Sequence, residues 1–285
     1  MRIKYFIFDS IMLILLFICL IILLIIIVTI ILILIISKNP KYKKRKNSDI
    51  KKYEIINKKQ FKICICSLYT ENMNEMGKKW EKVMNEYVKK YNYDLVIWDQ
   101  TKIKIEGNHH PCWYKICLLK HLLLSKKYDY VIWMDIDSII INPEKRFETI
   151  INTSLEVDLH ICRDPLLWTP INSGVMIWKN TEWSLKILNN VWNEEKHEYN
   201  TVHGDQPALI RQIAIDYGIK CNSISLCPRG IEKHPKIKIH SPETFNYEIG
   251  QIHPWTDINN KLFIIHFMGC RDYLKISSFY NTLIK

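Results

Sequence analysis

The spacing of apolar residues changes period several times after residue 60. Residues 61–69 read as a first strand. Met76, Trp80, Val83, Met84, Tyr87, Val88 and Tyr91 then recur at helical spacing with Lys, Glu and Asn between them, as a helix burying one apolar stripe requires. Residues 94–98 form a second strand pattern. A further helix opens at His110-Pro111-Cys112-Trp113-Tyr114-Lys115 and stays apolar to Leu124. The next run, 128–134, is apolar on successive residues, which suits a strand covered on both faces. This strand–helix–strand–helix–strand order predicts an α/β domain with a parallel sheet. Beyond Pro143 the order changes. Residues 158–162 and 173–178 read as strands, 183–192 as a helix, and His203-Gly204-Asp205-Gln206-Pro207 as the start of another, with Pro near its first position. The C-terminal third alternates short strands with loops carrying Pro228, Pro235, Pro242 and Pro254.

The N-terminal pattern is different. After a short tail, 1–10, residues 11–36 are uncharged and almost wholly apolar. At about 1.5 Å per residue a helix of that length outspans a hydrocarbon core of about 30 Å. It lacks the shorter apolar region and small-residue cleavage site of a signal peptide, so the expectation is a single transmembrane anchor. Charge locates the next segment. Of the net charge of +11, +8 falls in residues 38–60 and +1 in 1–37, leaving +2 for 61–285. The basic character therefore belongs to a tether, 37–60, suited to lying on anionic lipid, and gives no ground for a nucleic-acid-binding face. The Lys and Arg excess after the anchor favours a cytoplasmic domain by the positive-inside rule. Eight Cys follow the anchor, an even number that permits disulfides, but Cys64 and Cys66 share a strand face as buried small hydrophobes would. No zinc-type Cys/His spacing occurs.

Four polar clusters interrupt this scaffold. The run 128–134 ends in Asp135-Ile136-Asp137, two carboxylates one residue apart. Open α/β sheets bind ligands beyond the carboxyl ends of their strands, where two Asp can hold a hard cation. The alternative is a plain strand-to-turn exit. Asn172-Ser173-Gly174 is polar and flexible at the mouth of a strand. Asp205-Gln206 sits at a helix start, where Asp is also a common N-cap. Residues 264–271 deliver His266, Gly269 and Arg271 at a strand end, where a His serves either as a ligand or as a structural hydrogen bonder.

The ordered set Trp113-Tyr114-Lys115, Trp133-Met134-Asp135-Ile136-Asp137-Ser138, Asn172-Ser173-Gly174 with Trp178 and Trp183-Ser184, Asp205-Gln206 and His266-Phe267-Met268-Gly269-Cys270 resembles one family. It is similar to the galactosyltransferase/xylosyltransferase/mannosyltransferase group, which includes fungal Golgi galactosyl- and mannosyltransferases and plant xyloglucan xylosyltransferases. The likeness spans about residues 61–275, and the His-Phe-x-Gly-Cys ending is its most specific part. It implies a GT-A fold, a Rossmann-like nucleotide-diphospho-sugar transferase domain, over 61–285. It also implies a nucleotide-sugar donor, a UDP-sugar ahead of GDP-mannose, and Mn²⁺ or Mg²⁺ held by Asp135, Asp137 and His266. Lys115 and Arg271 would lie near the donor's phosphates, Asn172 and Gly269 would also bind the donor, and Asp205 and Gln206 would face its sugar, with transfer retaining configuration. The acceptor would be a glycan, glycoprotein or glycolipid, and a homo-oligomer is left open.

Two features depart from the family. Gly204 stands where the family often has a second acidic residue. The family is also type II, with a lumenal domain in a Golgi- or ER-like membrane, against the charge flanks here. Two rival readings fit the same Asp-x-Asp. A haloacid-dehalogenase-type Mg²⁺ phosphohydrolase also ends a strand in Asp-x-Asp, but normally its first strand. A catalytically inactive, membrane-tethered sugar-binding domain is the other.

Overall fold

The computed structural model describes residues 18, 21–29, 61–99, 111–165, 169–194, 204–220, 230–251, 253–270 and 272–283. The chain divides into two compact units, Met1–Gln60 and Phe61–Lys285. In the first, residues 21–29 are helical and their apolar side chains are exposed. The rest of the expected anchor, apart from Ile18, and the whole basic tether lie outside the described residues. Among the described residues no helix is long and apolar enough to cross a membrane.

The second unit is built on a six-stranded sheet of β1 (Ile63–Leu68), β2 (Asp94–Trp98), β3 (Tyr130–Met134), β5 (Leu159–Cys162), β6 (Asn172–Lys179) and β7 (Ile237–His240), ordered β2-β1-β3-β6-β5-β7. The first three strands are parallel, as the sequence pattern predicts. The sheet as a whole is mixed, because β6 runs antiparallel to both β3 and β5. A strand buried on both faces has the same apolar run in either direction, so periodicity alone could not reveal this reversal.

Alternation along each central strand divides its side chains between two cores. Ile63, Ile65, Tyr130, Ile132, Met134, Val175 and Ile177 face one. There they meet Met76, Trp80, Met84, Tyr87 and Val88 of α1 (Asn74–Tyr91) and Ile276 and Tyr280 of α7 (Tyr273–Leu283). Cys64, Cys66, Val131, Trp133, Met176 and Trp178 face the other. This second core is closed by α2 (Tyr114–Leu124), α4 (Glu182–Glu194) and α5 (Asp205–Asp216). The six described cysteines after the anchor, Cys64, Cys66, Cys112, Cys117, Cys162 and Cys270, are free thiols.

A second, three-stranded sheet carries the functional end of the molecule. β4 (Ser138–Ile140) follows the Asp-x-Asp directly and pairs antiparallel with β9 (Ile264–His266), in register Ser138↔His266. The short helices α3 (Phe147–Ile151) and α6 (Pro242–Phe245) fall between, and β8 (Tyr247–Glu248) adds on parallel to β9. The Phe267 N–H donates to the Asp137 carbonyl at 2.9 Å, which fastens the end of β9 to the Asp-x-Asp turn.

Candidate active site

A cleft of about 710 Å³ opens where β1 and β3 end and β6 begins, the ligand position expected of an α/β sheet. Every predicted site residue within the described set lines it: Lys115, Asp135, Asp137, Asn172, Asp205, Gln206, His266 and Gly269. Arg271 lies outside the described residues.

Asp135 is placed by the last rung of the β3–β6 ladder, its N–H donating to the Gly174 carbonyl at 2.8 Å. The Ser138 N–H and hydroxyl both return to the Asp135 carbonyl, closing a tight turn that brings Asp137 round to the same side. Oδ1 of Asp135 accepts from Trp133 Nε1 at 2.7 Å and from Lys115 Nζ at 3.2 Å. Oδ2 is turned toward His266, with Nε2 4.0 Å away. His266 Nε2 also stands 3.3 Å from Asp137 Oδ1, and one ligand atom from each of the three residues falls within a 4.8 Å span. Two carboxylates and an imidazole so spaced fit a borderline-hard divalent ion such as Mn²⁺. The ring lies against Gly174, where an added Cβ would come within 2.1 Å of His266 Cε1. Only glycine leaves that space.

Lys115 holds the opposite wall. Its buried ammonium lies 3.4 Å from Asp205 Oδ2 as well as beside Asp135. Burial alone would push its pKa down, but Asp135 and Asp205 outweigh that and raise it. Burial raises the Asp205 pKa, the Asp135 charge adds to that, and Lys115 opposes it. Burial would raise the Asp137 pKa and lower that of His266; their mutual attraction reverses both, so Asp137 lies low and His266 high. The N-cap alternative for Asp205 is not what forms. Gly204 is the N-cap and Asp205 the first helical residue, its buried carboxylate committed to Lys115.

Gln206 is held at both ends. Its Oε1 accepts from the Ser173 N–H at 2.8 Å, and its Nε2 donates to Thr169 Oγ1 at 2.9 Å and Asp164 Oδ2 at 3.3 Å. Asp164 and Thr169 were not singled out from sequence. Asp164 lies just past β5, at a strand's carboxyl end, and that position is the signal that could have found it. Gly204 has φ +48°, and a Cβ there would lie 2.1 Å from Cys112 Sγ. An acidic residue here, as the resembled group often carries, would have to displace the Cys112 thiol and hold a positive φ.

A family model described as "Protein of unknown function, DUF273" matches residues 84–245. No curated protein matches by sequence. Among solved structures, a glycosyltransferase involved in glycosylation of the major capsid of PBCV-1 superposes with a TM-score of 0.58 at 16% identity, covering 78% of this chain and 99% of that one. Galactosyltransferase LgtC, solved with donor and acceptor sugar analogs, reaches 0.48 at 11% identity, covering 78% and 95%. The glycosyltransferase GlyE of Streptococcus pneumoniae TIGR4 reaches 0.40 at 16% identity, covering 78% and 64%. The first of these likenesses carries the fold: a mixed α/β unit whose central sheet matches GT-A glycosyltransferases.

Proposed function

From the premise that the chain belongs to the DUF273 family, and from its GT-A-type fold, we propose that it is a membrane-anchored, metal-dependent, retaining glycosyltransferase. It would move a hexose or pentose from a nucleotide-diphosphate sugar to a glycan or glycoconjugate. The observation that carries this reading is the convergence of Asp135, Asp137 and His266 with Lys115, Asp205 and Gln206 on one cleft.

In this reading Asp135, Asp137 and His266 hold the cation. When bound, it supplies Lewis-acid stabilisation of the charge that develops on the leaving nucleotide diphosphate. Lys115 adds a fixed positive charge on the phosphate side, set before substrate arrives and shielded from water. Asn172 and Gly269 line the donor cleft, and Arg271 joins Lys115 by its place in the sequence. Asp205 and Gln206 face the sugar. The Gln206 carbonyl keeps a lone pair beyond its bond to Ser173, enough to steady a cationic anomeric centre without acting as a strong nucleophile. Residues 11–36 anchor the domain in the membrane, with a type II arrangement taken from the family resemblance. Glycosidase sensitivity at Asn152, in the sequon Asn152-Thr153-Ser154, would support the lumenal side; protease protection in sealed vesicles decides it.

The test uses the full chain in detergent with Mn²⁺ and a panel of UDP- and GDP-sugars, following release of free nucleotide diphosphate. One donor should be hydrolysed slowly, and that activity should vanish on chelation and in Asp137→Ala. Phosphomonoesterase activity without donor turnover would sink the reading. Tight donor binding without turnover, whatever the acceptor, would make the protein a sugar-nucleotide-binding scaffold instead.

A further inference from the structure

Behind the three proposed metal ligands runs a chain of buried amides whose direction is fixed at one end by the backbone. The Gly174 N–H donates to Asn172 Oδ1 at 2.9 Å, so that atom must be the carbonyl oxygen of Asn172. Asn246 reaches the same oxygen at 2.8 Å and must present its NH₂ there. Its own carbonyl oxygen therefore points the other way, 3.0 Å from His266 Nδ1. An oxygen acceptor at that distance requires a proton on Nδ1. The flipped amide would set two buried carbonyl oxygens face to face and lose the bond between the two amides, at about 1–3 kcal/mol for each unsatisfied group. Asn172, Asn246 and His266 are all buried, at 4%, 2% and 4% exposure, so water is not at hand to rescue the wrong arrangement.

Asn246 owes its place to the second sheet. It ends the short helix α6, its N–H returning to the Pro242 carbonyl at 2.9 Å, and directly precedes β8, which pairs in register with β9 at Tyr247↔Ile265 and Glu248↔His266. Gly174 presses on the ring from the other direction, since an added Cβ would lie 2.7 Å from Nδ1.

We propose that Asn246 is a positioning residue for the metal site: it holds the His266 Nδ1 proton and so reserves Nε2, the nitrogen facing Asp135 and Asp137, for the cation. The assignment rests on the reading that these three residues bind a metal. Metal-bound histidines generally need such an outer partner, and its loss typically costs 10- to 100-fold in affinity.

Two measurements test it, both without sugar nucleotide, on the full chain in detergent. The first uses ¹⁵N-histidine-labelled protein titrated with ¹¹³Cd²⁺, with His266 assigned by its loss in His266→Gln. Nδ1 should carry its proton both without and with cadmium, while Nε2 couples to the metal. A metal on Nδ1, an unprotonated Nδ1 in either state, or no cadmium binding at all would overturn the proposal. The second follows Mn²⁺ affinity in Asn246→Leu, expected to fall 10- to 100-fold, and in Asn246→Asp, which keeps an acceptor and should recover most of it. Unchanged affinity in a folded Asn246→Leu chain would also overturn it; should that variant not fold, the ¹⁵N measurement on the unaltered sequence decides. A chain that passes both and turns over no donor refutes the transferase reading and leaves the role of Asn246 standing.

Discussion

Replacing Lys115 with methionine removes a cation shared by two carboxylates while keeping most of its length and apolar stem. At an effective dielectric constant near 20, charges 3.2 and 3.4 Å apart attract by about 5 kcal/mol per pair. Burying the ammonium costs several kcal/mol in return, so the net loss on breaking the cluster is about 3–5 kcal/mol. For a folded unit of this size that lowers Tm by about 6 to 20 °C. The loss should also depend on pH in a definite direction. Without Lys115, Asp205 is a buried carboxylate facing Asp135, and its pKa moves still further above its ordinary 3.8. The folded state then binds more protons than the unfolded state between those two values, so acidification stabilises the variant relative to the unaltered chain. Each unit of pH recovers up to about 1.4 kcal/mol. Urea unfolding at pH 8 and pH 5.5 reads both effects, and Lys115→Met/Asp205→Asn should regain most of the loss by removing both charges. A stability gap under about 1 kcal/mol at both pH values, or one that widens on acidification, would refute this account of the cluster.

Three further outcomes are expected. Gly174→Ala should destabilise by about 1–3 kcal/mol through overpacking against His266 and weaken Mn²⁺ binding, read by calorimetry; normal binding would mean the ring has somewhere else to go. Gly204→Asp should lower Tm because of its positive φ and the Cys112 thiol, and pairing it with Cys112→Ala should relieve only the steric part. Burial and neighbouring positive groups hold the fully buried His160 near pKa 3, and burial and Lys238 hold the half-buried His240 near 4, both below the ordinary 6.5. The unfolded chain therefore takes up more protons below about pH 6.5, and stability should fall by about 2 kcal/mol for His160 by pH 5, with a smaller share from His240. A urea midpoint whose change between pH 8 and 5 is the same in His160→Gln as in the unaltered chain would contradict that.

What the sequence disclosed follows the length of each element. α1 announces itself through Met76, Trp80, Met84, Tyr87 and Val88, and β1 and β3 through apolar runs long enough to be seen. The three-residue β4 and two-residue β8 hold too few positions for any period to register, and both owe their conformation to β9. The candidate site divides the same way. Asp135 and Asp137 are conspicuous because charge at the end of a buried run needs a reason, whereas Asn246 follows a short Pro-Glu-Thr-Phe turn with nothing to mark it. Its importance lies in which atom faces which, and that is absent from residue order. Asp205 is ambiguous in sequence, since a helix-start Asp fits a cap as well as a site; Gly204 at the N-cap and the Lys115 contact are visible only in the structure.

The register Ser138↔His266 joins segments about 130 residues apart, and this has a consequence for the order of folding. Any partly folded chain that lacks β9 offers a cation only the two carboxylates of the Asp-x-Asp turn, which resemble many exposed acidic pairs. The third donor arrives with the last strand of the second sheet. A cation held there would therefore be no template for early structure; it would be a late latch, gripping the chain once distant parts have met. Bound metal should accordingly slow unfolding and hydrogen exchange around β4 and β9 while leaving the folding rate nearly unchanged.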